Sequence, residues 1–203
     1  MIFLSLIRIE MSYQSFEKAG SSDSLLKYKC MKLDTLKLTG KTVLDIGCNE
    51  GFFCHKMVEL GAKQCIGIDN SENFINKANA RLQGTNYPIQ YIRADIHQYT
   101  FSQQFDVVLI SSALHYMNAN TVISKVVSLL KRGGIFIFEG GIIMDSPLSE
   151  WVSVKRSSDT VIHPTRKAWE LLVVPRFSRI QLIGKSANQK GDPIERYVYH
   201  CYL

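Results

Sequence analysis

Five short apolar runs between residues 42 and 138 alternate with amphipathic segments, and this alternation is the strongest constraint on the fold. The clearest run, residues 105–110, is almost unbroken in hydrophobicity, as is typical of a central strand covered on both faces. Between the runs, apolar residues recur with helical spacing. Strands joined by helices in this way lie parallel with right-handed crossovers, which places helices on both faces of a sheet.

The pattern changes after residue 139, where residues 140–164 are polar and irregular and are predicted to form a loop or lid. A helix is predicted over 165–174, and strands are predicted over 179–184 and 194–202, with turn residues between them. We therefore expect an α/β fold with a seven-stranded, mostly parallel sheet, helices on both faces and a C-terminal antiparallel hairpin.

The chain is long enough for one domain, which we place at residues 41–203 with an insertion at about 140–164. Residues 1–40 are interpreted as an N-terminal extension, in which 13–28 form either a lid or a packing helix. The apolar run 1–7 is too short to span a bilayer. Residues 1–10 are either an upstream extension of the native start or an element that packs on the domain.

Composition restricts the classes of partner and site. Lys plus Arg number 24 and Asp plus Glu 18, for a net charge of +6, but the charges are scattered, so RNA is a possible partner that nothing specifically indicates. The five cysteines form no C-x-x-C pair, which argues against a disulfide framework and against a metal site. We expect a reduced, cytoplasmic protein with no membrane contact.

The glycine-rich segment 43–53 joins the first strand to a helix. Gly47 and Gly51 would let the backbone turn tightly and approach a ligand at the free N–H groups of the helix. Asp69 ends the second strand, where a carboxylate can accept hydrogen bonds from both hydroxyls of a ribose. Asp95 and Ile96 follow the third strand, where they could hold an adenine through its amino group and ring.

These features together resemble the class I, Rossmann-like methyltransferases that depend on S-adenosylmethionine. Segment 43–53 resembles the first motif of the family, and 94–96, 105–108 and 129–134 resemble later motifs in the same order. The chain departs from the family pattern at Asn49, in place of a middle glycine, and at Arg132, in place of a proline. A bacterial subgroup that modifies tRNA wobble uridines, sugars or small metabolites is similar in segment 40–53.

The resemblance implies S-adenosyl-L-methionine as the cofactor and a set of residues that would bind it. Those residues are Asp45, Gly47, Cys48, Asn49, Gly51, Phe52, Asp69, Asn70, Asp95, Ile96 and Ser111. Asp45 would either contact the amino group of the cofactor or organise the loop through backbone N–H groups.

Two residues are candidates for catalysis. In this family the segment after the fourth strand faces the methyl group, so His115 could be a general base, a substrate contact or only a packing residue. Glu139 ends the predicted fifth strand and could hold a substrate hydroxyl or amine, or be a solvated acid.

The sequence favours methyl transfer to a small-molecule or sugar acceptor. A tRNA wobble-uridine methyl or carboxymethyl transferase and a non-catalytic S-adenosylmethionine-binding protein remain alternatives. A nicotinamide-dependent oxidoreductase is disfavoured, because Gly47 and Gly51 have G-x-x-x-G rather than G-x-G-x-x-G spacing. The acceptor atom and the oligomeric state stay open.

Overall fold

The computed structural model describes residues 13–16, 22–156, 159–188 and 193–203. Its strands are β1 (Thr42–Ile46), β2 (Gln64–Asp69), β3 (Ile89–Arg93), β4 (Phe105–Ser111), β5 (Leu130–Gly141), β6 (Trp151–Lys155), β7 (Thr160–Pro164), β8 (Arg179–Lys185) and β9 (Arg196–Tyr202). Its α-helices are α1 (Ser24–Cys30), α2 (Phe52–Glu59), α3 (Glu72–Leu82), α4 (Ala119–Leu129) and α5 (Arg166–Val173).

Seven of these strands form one sheet in the order β3-β2-β1-β4-β5-β9-β8. Strands β1 to β5 pair in parallel, and β9 pairs antiparallel with both β5 and β8. This arrangement confirms the predicted fold class. The strand order reverses between β1 and β4, and a reversal of this kind opens a crevice at the carboxyl ends of the two strands.

The central strands are buried on both faces because successive side chains point to opposite sides of the sheet. Leu44 and Ile46 of β1 join the apolar cluster that contains Trp169 of α5. Val43, which precedes Leu44, joins the cluster on the other face with Met57 of α2. Each such side chain contributes about 1.5–3 kcal/mol through burial, and together they hold the strand ends in a fixed register.

The predicted loop at 140–164 was partly wrong. Strand β5 continues to Gly141, and β6 and β7 form a separate antiparallel hairpin. Exposed and half-buried residues alternate along β6, which is the pattern of a strand that covers a surface with one face only. Such short polar strands lack the continuous hydrophobicity by which the other strands were recognised.

The N-terminal prediction lies partly outside the described residues, which exclude 1–12 and 17–21. Within 13–28, helix α1 begins at Ser24, and its first turn is capped by the Asp23 carboxylate accepting from Leu26 N at 2.9 Å. The lid and the packing helix both stay predictions. Most of the turn predicted between the last two strands, residues 189–192, is also outside the described residues. In the described part of the chain, every helix is too short or too polar to cross a bilayer.

Candidate functional site

A cavity of about 540 Å³ lies at the carboxyl ends of β1, β2, β3 and β4. This volume is within the usual range for small-molecule and cofactor sites. Seven of the predicted cofactor residues lie on its wall: Gly47, Asn49, Asp69, Asn70, Asp95, Ile96 and Ser111. The crevice predicted from the strand order is therefore lined by the residues that the sequence placed at the strand ends.

The loop after β1 needs both of its glycines. Gly47 has a φ of 73°, and a Cβ atom there would lie 2.5 Å from the Cβ of Ala113. Gly51 has a φ of 87°, and a Cβ atom there would lie 2.0 Å from the hydroxyl of Tyr91. The positive φ angles and the close approaches both favour glycine, so the loop can bend under the cavity only with these residues.

Other predicted cofactor residues of this loop support the cavity from below. Cys48 and Phe52 are buried in the core and, like Gly51, are not on the cavity wall. The Cys48 thiol donates weakly to the carbonyl of Asn49 at 3.8 Å. Their positions show a packing role, and direct cofactor contact by these three residues stays a prediction.

Asp69 connects the loop to the next helix. Its Oδ2 accepts from the backbone N–H of Asn49 at 3.0 Å, and its Oδ1 accepts from that of Ser71 at 2.9 Å. Burial raises the pKa of Asp69, and these two hydrogen bonds counter that effect. Each carboxylate oxygen has a further lone pair, so Asp69 can hold the loop and still accept hydrogen bonds from a ligand.

Asp45 is buried beneath the loop, with 1% of its surface exposed, and is not on the cavity wall. Its Oδ2 accepts from the Cys54 thiol at 3.5 Å. Burial raises the pKa of Asp45 to about 7. Of the two roles predicted for this residue, its position favours organisation of the loop.

Asp69, Asn70, Asp95 and Ile96 form what we call the acidic end of the cavity. Asp95 is the more exposed of the two carboxylates at this end. Its Oδ1 accepts from His97 N at 2.9 Å and lies 2.7 Å from Nδ1 of the His97 ring. These hydrogen bonds hold the pKa of Asp95 below its usual value. The Asp95 carboxylate therefore presents hydrogen-bond acceptors near neutral pH.

Lys27, Ser112, Glu139 and Arg196 form a contrasting cluster that we call the basic end. The Ser112 hydroxyl accepts from Lys27 Nζ at 2.7 Å and from Arg196 Nη1 at 3.0 Å, and it donates to Glu139 Oε2 at 2.7 Å. One hydroxyl thus uses its donor and both of its lone pairs. Lys27 and Ser112 lie on the cavity wall.

Glu139 is fully buried and is not on the cavity wall, so the interpretation as a solvated acid was wrong. Its Oε2 also accepts from Ser111 Oγ at 2.9 Å. Burial alone would raise the pKa of Glu139, but Lys27, Arg196 and the two serine hydroxyls together hold it below the usual value. The carboxylate therefore stays ionised and orients the serines that line the cavity.

Ser112 has a φ of 56°, which is unusual for a residue other than glycine. Its backbone N–H donates to the carbonyl of Glu139 at 2.8 Å, and its hydroxyl makes the three bonds described above. Strained backbone of this kind persists only when the surroundings hold it, and it is concentrated at binding sites.

His115 lies in a 3₁₀ turn (Leu114–Tyr116) and is not on the wall of the large cavity. It lines a small cavity instead, beside His163, with ring centroids 5.2 Å apart. Burial, followed by the positive charges of nearby basic side chains, lowers the pKa of His115 to about 2. The packing alternative fits this position best, and a group with so low a pKa is a weak proton acceptor at neutral pH.

The N-terminal segment contributes to the cavity wall, and the lid alternative for residues 13–28 stays a prediction. Tyr13 and Gln14 line the cavity, where Tyr13 N donates to Glu50 Oε1 at 3.1 Å and Phe52 N donates to Gln14 Oε1 at 3.0 Å. Glu50 is fully buried and forms an ion pair with Arg81 at 3.0 Å. For Glu50, the sequence offered one signal: it is an acidic residue in a loop that otherwise packs into the core.

No cluster of three or more side chains suited to a metal ion occurs among the residues that the structure describes.

Comparison with known proteins agrees with this geometry. Residues 43–134 match the family model described as "Methyltransferase domain". The chain is 32% identical over 101 residues to a ubiquinone biosynthesis O-methyltransferase of Rhodopseudomonas palustris, covering 49% of the chain and 40% of the relative. It is 30% identical over 118 residues to a tRNA U34 carboxymethyltransferase of Shewanella oneidensis, covering 56% and 35%. The aligned part thus spans less than half of these relatives.

Solved structures extend the likeness beyond the matched segment. An S-adenosylmethionine dependent methyltransferase from Mesorhizobium loti superposes with a TM-score of 0.64 at 21% identity, covering 87% of this chain and 97% of that one. The N-methyltransferase NodS from Bradyrhizobium japonicum, in complex with S-adenosyl-L-homocysteine, gives a TM-score of 0.62 at 19% identity, covering 86% and 85%. Residues 43–134 are therefore similar to a methyltransferase domain, and the chain has the Rossmann-like fold seen in S-adenosylmethionine-dependent methyltransferases.

Proposed function

We propose that the protein is an enzyme that transfers a methyl group from S-adenosyl-L-methionine to a small-molecule acceptor. The observation that carries this proposal is the 540 Å³ cavity, in which the glycine loop after β1 and the carboxylate of Asp69 face one space. Both features come from the segment that matches the methyltransferase domain.

The residues of the acidic end fit the adenosine part of the cofactor. Asp69 can accept from the two ribose hydroxyls through the lone pairs that Asn49 N and Ser71 N leave available. Ile96 is apolar and buried and can pack on the adenine ring, while Asp95 can accept from its amino group. Gly47 lets the backbone approach the rest of the molecule.

When bound, the cofactor would supply a methyl group on a positively charged sulfur, which is a good leaving group for transfer to a lone pair of the acceptor. The protein then has mainly to align the acceptor and exclude water. Ser111 and Ser112, oriented by the buried Glu139, are placed at the end of the cavity opposite the acidic carboxylates. We assign Glu139 a positioning role and assign His115 no contact with the acceptor.

The proposal is tested by calorimetric titration of the purified protein with S-adenosylmethionine, S-adenosylhomocysteine and NAD. We expect micromolar binding of the two adenosyl compounds and none of NAD. Asp69→Ala should weaken adenosyl binding by about 100-fold, because two charge-assisted hydrogen bonds are lost. Asp34→Ala, an exposed aspartate on the 3₁₀ turn Leu33–Thr35, is the control and should bind like the wild type.

Absence of adenosyl binding would contradict the proposal, and NAD binding in its place would favour an oxidoreductase.

Transfer to tRNA is the second candidate, and the similarity to tRNA U34 carboxymethyltransferases favours it. In that case the adenosyl compounds should bind in the same way, but methyl incorporation should occur with transcribed tRNA and not with small acceptors. An assay with labelled cofactor on both acceptor types separates the two candidates.

A further inference from the structure

The basic end differs from the rest of the cavity wall in the way its charges are held. Lys27 has 3% of its surface exposed and Arg196 has 1%, and both donate to the same Ser112 hydroxyl. Burying two cationic side chains is costly unless the geometry compensates for lost hydration. A cluster of this kind on the wall of a cavity is therefore expected to serve the ligand as well as the fold.

The topology brings these groups to one place. Ser112 follows the carboxyl end of β4, and Glu139 is near the end of β5, which pairs in parallel with β4. Strand β9 runs antiparallel to β5, so that its first residue, Arg196, lies opposite Gly141. Lys27 reaches the same point from α1. The basic end thus sits on the sheet side of the cavity that is away from the β2 and β3 carboxylates.

The pKa shifts of neighbouring side chains indicate a positive electrostatic potential in this region. Burial and then the charges of Arg196, His163, Arg156 and Lys27 lower the pKa of His115. Burial raises the pKa of Tyr13, which lines the cavity; Arg196 opposes this rise and Glu139, a smaller cause, adds to it. Glu139, which carries the negative charge of the cluster, accepts from the two serines and is off the wall. A ligand in the cavity therefore meets the ammonium of Lys27 rather than the carboxylate.

We propose that the basic end is a receptor for an anionic group of the methyl acceptor, a carboxylate or phosphate, with Lys27 as the residue that selects for it. This inference rests on the proposed methyltransferase function. The anion would dock beside Lys27 and Ser112, with Arg196 supporting both through the shared hydroxyl. The acceptor would then lie between the basic end and the cofactor. The same site would reject acceptors that carry a positive group there.

The test uses protein saturated with S-adenosylhomocysteine in phosphate-free buffer, titrated with benzoate, its neutral isostere benzamide, and inorganic phosphate. We expect benzoate to bind at least about tenfold more tightly than benzamide, as is typical of a charge-assisted contact. Lys27→Met should remove this preference, since it keeps the length of the side chain and leaves Glu139 beside Arg196. Lys29→Met, an exposed lysine on the same helix, should retain the preference.

Equal binding of benzoate and benzamide, an unchanged preference in Lys27→Met, or failure of both benzoate and phosphate to bind would overturn the inference. If Lys27→Met does not fold, Lys27→Arg, which keeps the charge, should keep the preference, and the wild-type comparison of the two probes still decides. Failure of S-adenosylhomocysteine to bind to the wild type would instead count against the proposed function. Benzoate can then be titrated into the protein alone, so the anion site is still tested separately.

Discussion

The two ends of the cavity are built in opposite ways. At the acidic end, Asp69 and Asp95 lie at the ends of neighbouring parallel strands and accept from backbone N–H groups two residues away or in the adjoining loop. At the basic end, the charges come from α1, β5 and β9 and meet at Ser112. The hydrogen bonds of the first end span at most 20 residues, whereas the second includes contacts that span 84 and 85 residues and needs the antiparallel strand of the sheet.

The comparison also predicts which end the stability of the protein depends on. Replacing a carboxylate that faces solvent changes the stability of the protein little. Removing one partner of a buried ion pair leaves the other charge uncompensated and costs more. Mutations at the basic end should therefore act on folding as well as on binding, and mutations at the acidic end should act mainly on binding.

The largest effect is expected for Glu139→Gln. This change removes the negative charge between Lys27 and Arg196 and should lower the free energy of unfolding by about 3–5 kcal/mol. Lys27→Met should cost less, and the double variant should recover part of the loss, because one of the two cations is then absent. Urea denaturation of the four proteins measures this coupling. Additive losses in the double variant would show that the two charges do not interact.

Asp45→Asn should show how the buried carboxyl group beneath the acidic end affects the stability of the protein. The folded pKa of Asp45, about 7, is above that of an unfolded aspartate, so the folded state retains the proton to higher pH. Its contribution to stability is therefore full below about pH 4 and is lost as pH rises towards about 7, by roughly 2–4 kcal/mol. Denaturation of wild type and variant across this range should show a difference in the free energy of unfolding between the two proteins that changes with pH. Parallel curves would contradict burial as the cause.

The smallest effect is expected at the edge of the acidic end. Asp95 is exposed, so Asp95→Ala should weaken S-adenosylhomocysteine binding by less than about tenfold and leave the unfolding midpoint unchanged. Calorimetry beside Asp69→Ala gives the contrast directly. A loss at Asp95 equal to that at Asp69 would mean that the adenine contact matters as much as the ribose contact.

Much of the fold was predictable because its signals are local. Continuous apolar runs identified the strands of the parallel sheet, and the cap of α3 is likewise local, because the Ser71 hydroxyl accepts from Phe74 N at 3.4 Å. Hairpin β6–β7 was missed because its alternation is short and polar. His115 illustrates a different failure: its position after β4 was predicted, but the direction of its side chain depends on packing against His163.

The sequence by itself determined the order of elements, the glycine loop and the carboxylates at the ends of β2 and β3, because each depends on residues close together in the chain. Only the tertiary structure decided the opposite wall. Lys27 is 85 residues from Ser112, and Ser112 is 84 residues from Arg196. No periodicity or spacing connects residues so far apart, and they meet because β9 inserts beside β5 in the opposite direction, which brings Arg196 to the carboxyl edge of the parallel strands.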